Sequence, residues 1–118
     1  MKKKILIIED DIHTLEFVEI LLHGSGYAVI KANRQIPIKE VAGINPNLVL
    51  IDYLLPYVLG TALCLEIKNT ESTKHIPVIL YSVSSNLQTI AKESRADGYI
   101  AKPFDINDLI NMVNRLTL

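Results

Sequence analysis

Short apolar runs alternate along this chain with segments in which apolar residues recur every three or four positions. Five mainly apolar runs predict strands that are covered on both faces of a sheet. These runs are Ile5–Ile8, Ala28–Lys31, Leu48–Ile51, Pro77–Tyr81 and Tyr99–Ala101. The segments that follow them have the period of amphipathic helices. They cover residues 12–22, 38–42, 61–69, 87–95 and 106–116.

Capping and turn residues indicate where several of these helices begin and end. Asp11 and Asp105 precede the first and last helices, where a carboxylate can accept hydrogen bonds from free backbone N–H groups. Only five residues separate Pro37 from Gly43, so we expect the second helix to be short or irregular.

The alternation of strands and helices determines the predicted fold class. Five strands, each followed by a helix, indicate an α/β protein with a parallel sheet and helices on both faces. Because domains typically contain roughly 100–200 residues, we expect a single domain over residues 1–118. Ligands of such sheets bind at the carboxyl ends of the strands, so the residues there are the candidates for function.

Charge and hydropathy exclude several classes of function. The 12 basic and 13 acidic side chains leave a net charge of −1 and no basic block, so we expect no direct binding of nucleic acid. Residues 48–65 carry one charge, but Asp52, Pro56 and Gly60 interrupt this run and argue against a membrane span. The N-terminal apolar run is too short for a secretion signal, and Cys64 is the single cysteine, so we expect a cytoplasmic protein.

Charged and hydroxyl side chains follow four of the five predicted strands. The acidic segment Glu9–Asp11 comes directly after the first strand, and Asp52 follows the third. Ser82 follows the fourth strand and Lys102 the fifth. Since parallel strands end at one edge of the sheet, we expect carboxylates, a hydroxyl and an ammonium to converge in one crevice.

A cluster of carboxylates at such an edge favours a divalent cation and phosphoryl chemistry. Carboxylates a few ångströms apart raise each other's pKa unless a cation neutralises them, and Mg²⁺ binds such groups together with carbonyls, waters and phosphates. A carboxylate beside the ion can attack a phosphoryl group, while an ammonium, a hydroxyl and backbone N–H groups stabilise the transferred charge. Asp10, Asp52, Ser82 and Lys102 are the side chains that this reaction requires. Each has an ordinary structural explanation on its own, and their joint placement favours the chemical one.

Several segments of the chain together resemble the receiver domain of two-component response regulators, and the resemblance covers the whole chain. They are residues 7–11 (IIEDD), 50–52 (LID) with Pro56 and Gly60, 77–82 (PVILYS) and 96–104 (ADGYIAKPF). The resemblance implies a flavodoxin-like, doubly wound sheet of strand order 2-1-3-4-5. It also implies a switch of the chemotaxis-regulator type, which accepts a phosphoryl group and assists its own phosphorylation but is not a turnover enzyme.

The same resemblance implies which residues hold the metal and the phosphoryl group. Asp52 would be the phosphoacceptor. Asp10 would bind Mg²⁺ (or Mn²⁺) directly and Glu9 through a water molecule, with Asp52 and the backbone carbonyl of Leu54 completing the protein ligands. Lys102 would pair with the phosphoryl oxygens.

The resemblance further implies how phosphorylation changes the protein surface. The peptide bond from Lys102 to Pro103 would be cis, and the backbone at Val83 would contact the phosphoryl group. Ser82 would follow this group inward and Tyr99 would rotate in behind it. The altered surface would comprise the fourth helix, fifth strand and fifth helix, where the family docks partners or dimerises. The phosphoryl donor would be a sensor histidine kinase or a histidine phosphotransfer protein, and a downstream protein or an output domain would respond.

Some residues depart from the family pattern. Val83 stands where most members have Ala or Gly, and we expect its branched side chain to narrow access to Asp52. Leu54 and Ser84 offer little to align an attacking water, which predicts a long-lived phosphoryl group. The loop 53–59 is unusually apolar. We hypothesise that it docks a kinase or a phosphotransfer helix, the alternative being that it packs on the third helix.

Three other interpretations use the same residues differently. A flavodoxin-like nucleotide carrier needs a Gly- or Ser/Thr-rich phosphate cradle after the first strand, where this chain has Glu9–Asp11. A metal-dependent phosphatase of the Asp-x-Asp type needs a second acid at the position of Leu54. A receiver-like interaction module that is never phosphorylated has no need of the full set of Asp52, Ser82 and Lys102.

Overall fold

A five-stranded parallel sheet forms the centre of the structure, a computed structural model that describes residues 2–83 and 86–118. The strands are β1 (Lys4–Ile8), β2 (Ala28–Ala32), β3 (Leu48–Asp52), β4 (Val78–Ser82) and β5 (Gly98–Ala101). The helices are α1 (Ile12–Gly24), α2 (Ile38–Ile44), α3 (Gly60–Asn69), α4 (Leu87–Glu93) and α5 (Ile106–Leu116). Ser84, to which a part in phosphoryl lifetime was assigned from the sequence, lies outside the described residues.

The strands lie in the order β2-β1-β3-β4-β5, which confirms the predicted flavodoxin-like topology. In the register of the sheet, Ile8 pairs with Ala32 on one side and with Ile51 on the other. Asp52 at the end of β3 pairs with Tyr81 of β4. The carboxyl ends of the central strands therefore reach the same edge of the sheet, and the residues that follow them are neighbours.

Alternating side chains of the strands divide the core into two layers, one on each face of the sheet. Leu6 and Ile8 of β1 pack with the buried residues of α2, α3 and α4. Ile5 and Ile7 face the opposite side and pack with those of α1 and α5. This division follows from the two-residue period of a strand, and it explains why the central strands have no polar face in the sequence.

The helix boundaries agree closely with the predicted ones. The carboxylates of Asp11 and Asp105 accept backbone N–H groups in the first turns of α1 and α5, as expected of caps. The second helix is short, as predicted, and ends where Asn45 adopts a left-handed conformation with φ of 48°. The fourth ends at Glu93, earlier than predicted, and Arg95 then turns the chain with φ of 61°.

The apolar run at residues 48–65 does not form one continuous helix. It divides into β3, a loop, and the beginning of α3, with Asp52 at the end of the strand. Within the described ranges, no helix is long and apolar enough to cross a membrane.

Gly60 begins α3 at a close approach to the backbone that carries Asp52. A Cβ atom at Gly60 would lie 2.5 Å from the Asp52 carbonyl oxygen and 2.9 Å from the Tyr53 Cα. Because both contacts are with backbone, we expect Gly60→Ala to force a backbone shift and to lower the free energy of unfolding by about 2 kcal/mol in urea denaturation. Gly43→Ala is the matched control, since its Cβ meets no atom within 4 Å in a helix where Ala is favoured. An equal effect of both substitutions would contradict this explanation.

Candidate functional site

Three carboxylates meet at the carboxyl edge of the sheet, where the sequence analysis placed them. Glu9 follows β1 and is fully buried, Asp52 ends β3 with 7% of its surface exposed, and Asp10 is exposed. One carboxylate oxygen from each lies within 4.8 Å of the other two. Among the described residues, this is the group of acidic side chains that could hold a metal ion.

The donor set fits a hard divalent cation. Mg²⁺ takes oxygen ligands and keeps several waters, so a site with a few carboxylates, one of them open to solvent, suits it. Leu54, whose carbonyl is a predicted ligand, is held next to this group because its N–H donates to Asp52 Oδ1 over 3.2 Å. Without a metal ion, the buried carboxylates of Glu9 and Asp52 lie close together, and among the described residues Lys102 is the one cation paired with them.

Lys102, which directly follows β5, supplies that cation. Its Nζ atom lies 3.0 Å from Glu9 Oε1 and 3.6 Å from Asp52 Oδ2. The backbone N–H of Lys102 donates to the carbonyl of Ser82 over 2.9 Å, so the two strand ends are joined directly. The peptide bond from Lys102 to Pro103 is cis, as predicted. The structure thus brings together the lysine and the acidic residues that the sequence analysis selected.

Tyr81 is part of this site, although the sequence analysis treated it only as a residue of the fourth strand. Its hydroxyl group donates to Glu9 Oε1 over 2.8 Å, and its ring centroid lies 4.5 Å from Lys102 Nζ. The ring also meets Phe104 edge-on, with 6.3 Å between centroids. One property of the sequence could have pointed to this role, because a hydroxyl in an otherwise apolar strand must find a partner inside the protein.

The close packing of the carboxylates changes their pKa values in opposite directions. Burial, followed by the neighbouring Glu9, raises the pKa of Asp52 to about 6. Burial also works to raise the pKa of Glu9, but hydrogen bonds from its neighbours, Asp52 and Lys102 foremost, outweigh it and lower that pKa. A proton at this site is therefore held by Asp52 in preference to Glu9.

This difference predicts how stability depends on pH and on metal. Because the pKa of Asp52 is raised from 3.8 to about 6 on folding, its protonation favours the fold. That contribution is complete below the unfolded pKa and is lost as the pH rises through the folded one. Without metal, we expect the free energy of unfolding to fall by on the order of 2 kcal/mol between about pH 4 and pH 7, relative to Asp52→Asn.

Urea denaturation of both proteins across this pH range measures that difference. Mg²⁺ is expected to restore the lost stability of the parent protein at neutral pH, because it binds the folded state, and to do so far less in Asp52→Asn. Parallel pH profiles for the two proteins in the absence of metal would contradict the assignment of the raised pKa to Asp52.

The remaining predicted site residues lie around this centre with different exposure. Ser82 is buried at the end of β4, next to Tyr81. Val83 is largely exposed and lines a surface groove together with Lys102 and Phe17. Tyr99 of β5 has 41% of its surface exposed. The roles of these residues in phosphorylation stay predictions, and so does the narrowing of access by Val83.

The apolar loop 53–59 is mostly packed against the protein. Leu55 is buried, and Tyr53, Tyr57 and Val58 pack on the core layer that contains α3. The Tyr57 hydroxyl donates to the carbonyl of Arg34 over 2.8 Å, which ties the loop to the segment after β2.

Leu54 and Leu59 are the two apolar side chains of this loop that stay about half exposed, at 52% and 49%. This favours the packing alternative for most of the loop. The docking hypothesis stays a prediction.

Comparison with protein families gives a match over most of the chain. The sequence profile of the response regulator receiver domain matches residues 5–114. The chain belongs to this family. Receiver domains of two-component systems act as signalling switches, so the predicted family, fold class and switch function are confirmed at that level.

Individual relatives of this receiver domain extend over nearly its whole length. RpaA of Synechocystis sp., a DNA-binding dual master transcriptional regulator, is 34% identical over 116 residues, which are 96% of this chain and 48% of that protein. Histidine kinase P4 of Formosa agariphila is 37% identical over 110 residues, which are 91% of this chain and 8% of that protein. The chain thus spans about half the length of RpaA and less than a tenth of that of the histidine kinase.

A solved structure agrees with the fold over almost the entire chain. It is that of the response regulator protein TrrA from Thermotoga maritima, in complex with Mg²⁺-BeF. It is 26% identical and has a TM-score of 0.87, covering 97% of this chain and 98% of that one.

Proposed function

We propose that this receiver domain accepts a phosphoryl group on Asp52 and that the added charge switches its surface between two states. The observation that carries the proposal is the placement of Asp52. Its nearly buried carboxylate lies next to those of Glu9 and Asp10 and 3.6 Å from the ammonium of Lys102. A nucleophile, a metal-binding group and a cation for the phosphoryl oxygens are the parts that phosphoryl transfer requires.

In the proposed reaction, a carboxylate oxygen of Asp52 attacks the phosphorus atom of a phosphohistidine. The new oxygen–phosphorus bond forms as the phosphorus–nitrogen bond breaks, and the imidazole nitrogen keeps the electron pair and takes up a proton. Lys102, which lies 3.6 Å from Asp52 Oδ2, stabilises the charge on the phosphoryl oxygens. In this proposal, the hydroxyl of Ser82, buried at the end of β4, follows the group inward and the backbone N–H of Val83 contacts it.

The metal site of the proposal consists of Glu9, Asp10, Asp52 and the carbonyl of Leu54. When bound there, Mg²⁺ (or Mn²⁺) supplies positive charge that neutralises the phosphoryl oxygens. The convergence of three carboxylates supports this assignment, and so does the similar Thermotoga structure, which was determined with Mg²⁺-BeF. The ion also lowers the cost of ionising Asp52, whose pKa is raised in the metal-free protein.

The switch itself is proposed to act through Ser82 and Tyr99. Ser82 is buried beside the site, whereas Tyr99 stands exposed on β5 between α4 and α5. Movement of Ser82 towards a phosphoryl group would leave space into which Tyr99 can rotate. One covalent charge would thereby shift the population of the α4–β5–α5 surface, where a partner or a second copy of the domain binds.

The partners of this domain follow from the chemistry of the site and from its relatives. A sensor histidine kinase or a histidine phosphotransfer protein supplies the phosphoryl group, and a downstream protein or an output domain reads the changed surface. Both a histidine kinase and a transcriptional regulator contain similar sequences. We place the domain in the cytoplasm, where such donors act, and regard it as a switch rather than a turnover enzyme.

The intact mass of the protein tests the proposal directly. The protein is incubated with Mg²⁺ and a small-molecule phosphodonor, and in parallel with a metal chelator. We expect the mass of one phosphoryl group to be gained with Mg²⁺ and little or none without it. A folded protein that binds Mg²⁺ but gains no mass from several donors would contradict phosphorylation and favour the interaction module that is never phosphorylated.

A further inference from the structure

We propose that Tyr81 is a positioning residue of the metal and phosphoryl site, which acts through Glu9 and Lys102. The inference rests on the proposed function, because it assigns a role in the same site. It also goes beyond that function, since Tyr81 neither binds the metal nor reacts. Its hydroxyl group sets the orientation of the Glu9 carboxylate, and its ring supports the ammonium of Lys102.

The hydroxyl group of Tyr81 contacts the acidic cluster from inside the protein. Tyr81 is fully buried and pairs with Asp52 in the register of β3 and β4. Its hydroxyl nevertheless crosses to the end of β1 and donates to Glu9 Oε1 over 2.8 Å. The same oxygen accepts a hydrogen bond from Lys102 Nζ over 3.0 Å. Two donors, one in β4 and one directly after β5, therefore hold one oxygen of a side chain that follows β1.

The second oxygen of Glu9, Oε2, has a hydrogen-bond donor of its own. Glu9 Oε2 accepts the backbone N–H of Asp11 over 3.2 Å, at the start of the segment that leads into α1. With Oε1 held by Tyr81 and Lys102, the plane of the carboxylate is determined by three donors from different elements. Partners of this kind, which do not touch the metal themselves, orient ligating groups and determine much of the affinity of a metal site.

The ring of Tyr81 contacts the cation of the site. Lys102 Nζ lies 4.5 Å from the ring centroid, within the distance at which a ring face attracts an ammonium group. Phe104 in turn packs edge-on against the ring and fixes its tilt. Lys102 is thereby held where it reaches both Glu9 and Asp52.

An apolar side chain would fill this position in β4 without any buried polar atom. The preceding residues of the strand, Val78, Ile79 and Leu80, are apolar and fully buried. A buried hydroxyl costs free energy unless it is hydrogen-bonded, and Tyr81 uses its hydroxyl on a carboxylate of the acidic cluster. Its place in the site accounts for this residue type better than packing alone does.

Calorimetric titration with Mg²⁺ alone tests the role of the hydroxyl group. Tyr81→Phe keeps the ring and the packing and removes only the donor to Glu9. We expect its Mg²⁺ dissociation constant to rise on the order of tenfold. The matched control is Tyr27→Phe, which removes another largely buried hydroxyl, bonded to Asn114 and Thr117, from a different part of the fold. The control is expected to bind Mg²⁺ as the parent protein does.

The role of the ring is tested by the rate of phosphorylation at saturating Mg²⁺. Tyr81→Leu removes both the hydroxyl group and the ring, so we expect it to bind Mg²⁺ as weakly as Tyr81→Phe does. In addition, we expect its maximal rate to be lowered roughly three- to thirtyfold, which corresponds to the range of cation–π energies. Tyr81→Phe keeps the ring, so its maximal rate is expected to fall less than that of Tyr81→Leu. Circular dichroism identifies any variant that does not fold.

Different outcomes separate this inference from the proposed function. A Mg²⁺ affinity of Tyr81→Phe within about twofold of the parent, or an equal loss in Tyr27→Phe, would overturn the positioning role even if Asp52 is phosphorylated. A parent protein that binds Mg²⁺ but takes up no phosphate would overturn the proposed function, whereas the affinity comparison would still decide the role of the hydroxyl group.

Discussion

Asp52→Asn is expected to take up no phosphoryl group under conditions in which the parent protein gains one. The substitution keeps the size of the side chain and replaces the nucleophilic oxygen by an amide, which cannot form the acyl phosphate. Asp52 is nearly buried at the end of β3, with Lys102 Nζ 3.6 Å from its Oδ2 atom, so the substitution removes the acceptor that the proposal requires. Intact mass with Mg²⁺ and a small-molecule phosphodonor measures the result.

The control for this substitution must change an aspartate without touching the site. Asp108→Asn serves this purpose, because Asp108 is exposed in the first turn of α5. It is expected to gain mass as the parent protein does. A phosphoryl group on Asp52→Asn would show that another carboxylate, with Asp10 the first candidate, is the acceptor, and it would contradict the assignment made here.

The fold could be predicted almost completely from the chain because its local patterns agree with its topology. Unbroken apolar runs predict the central strands. Because a helix separates each strand from the next, they also predict a parallel sheet, which the structure has. The end of α4 was placed too late because nothing in the sequence indicates that Arg95 adopts a left-handed backbone conformation. The order of the strands came from the family resemblance, since alternation alone allows several orders.

The sequence predicts those residues of the site that lie at or directly after the end of a strand. Asp52 and Lys102 stand at strand ends, where the topology of a parallel sheet brings them together. Tyr81 lies inside a strand and reaches the site through the length of its side chain, which residue order does not encode. The sequence left open whether the loop 53–59 docks a partner or packs on α3, because the contacts of Tyr57 and Val58 with the core depend on tertiary packing.

Lys102→Met is expected to slow phosphorylation on the order of a hundredfold at saturating Mg²⁺. Met keeps the length of the apolar stem and removes the ammonium that lies 3.0 Å from Glu9 and 3.6 Å from Asp52. In sites that stabilise developing charge, removal of one donor costs about two to three orders of magnitude in rate. The rate of mass gain from a small-molecule phosphodonor measures the effect.

The pH dependence of the same variant provides a second measurement. Lys102 lowers the pKa of Asp52 and opposes the effects of burial and of Glu9. Without the ammonium, the pKa of Asp52 is expected to rise further, so that the ionised nucleophile is formed only at higher pH. The pH of half-maximal rate in Lys102→Met should therefore lie above that of the parent protein, and a shift to lower pH would contradict the proposed role.

The matched control removes a lysine that has an acidic partner elsewhere. Lys74 lies 2.8 Å from Glu71 on the surface, and Lys74→Met is expected to leave both the rate and its pH dependence unchanged. A rate of Lys102→Met within about threefold of the parent would show that the metal alone balances the charge of the site. A deficit that persists at saturating Mg²⁺ has the opposite meaning, because the ion then already neutralises the carboxylates and the missing contribution must concern the phosphoryl oxygens themselves.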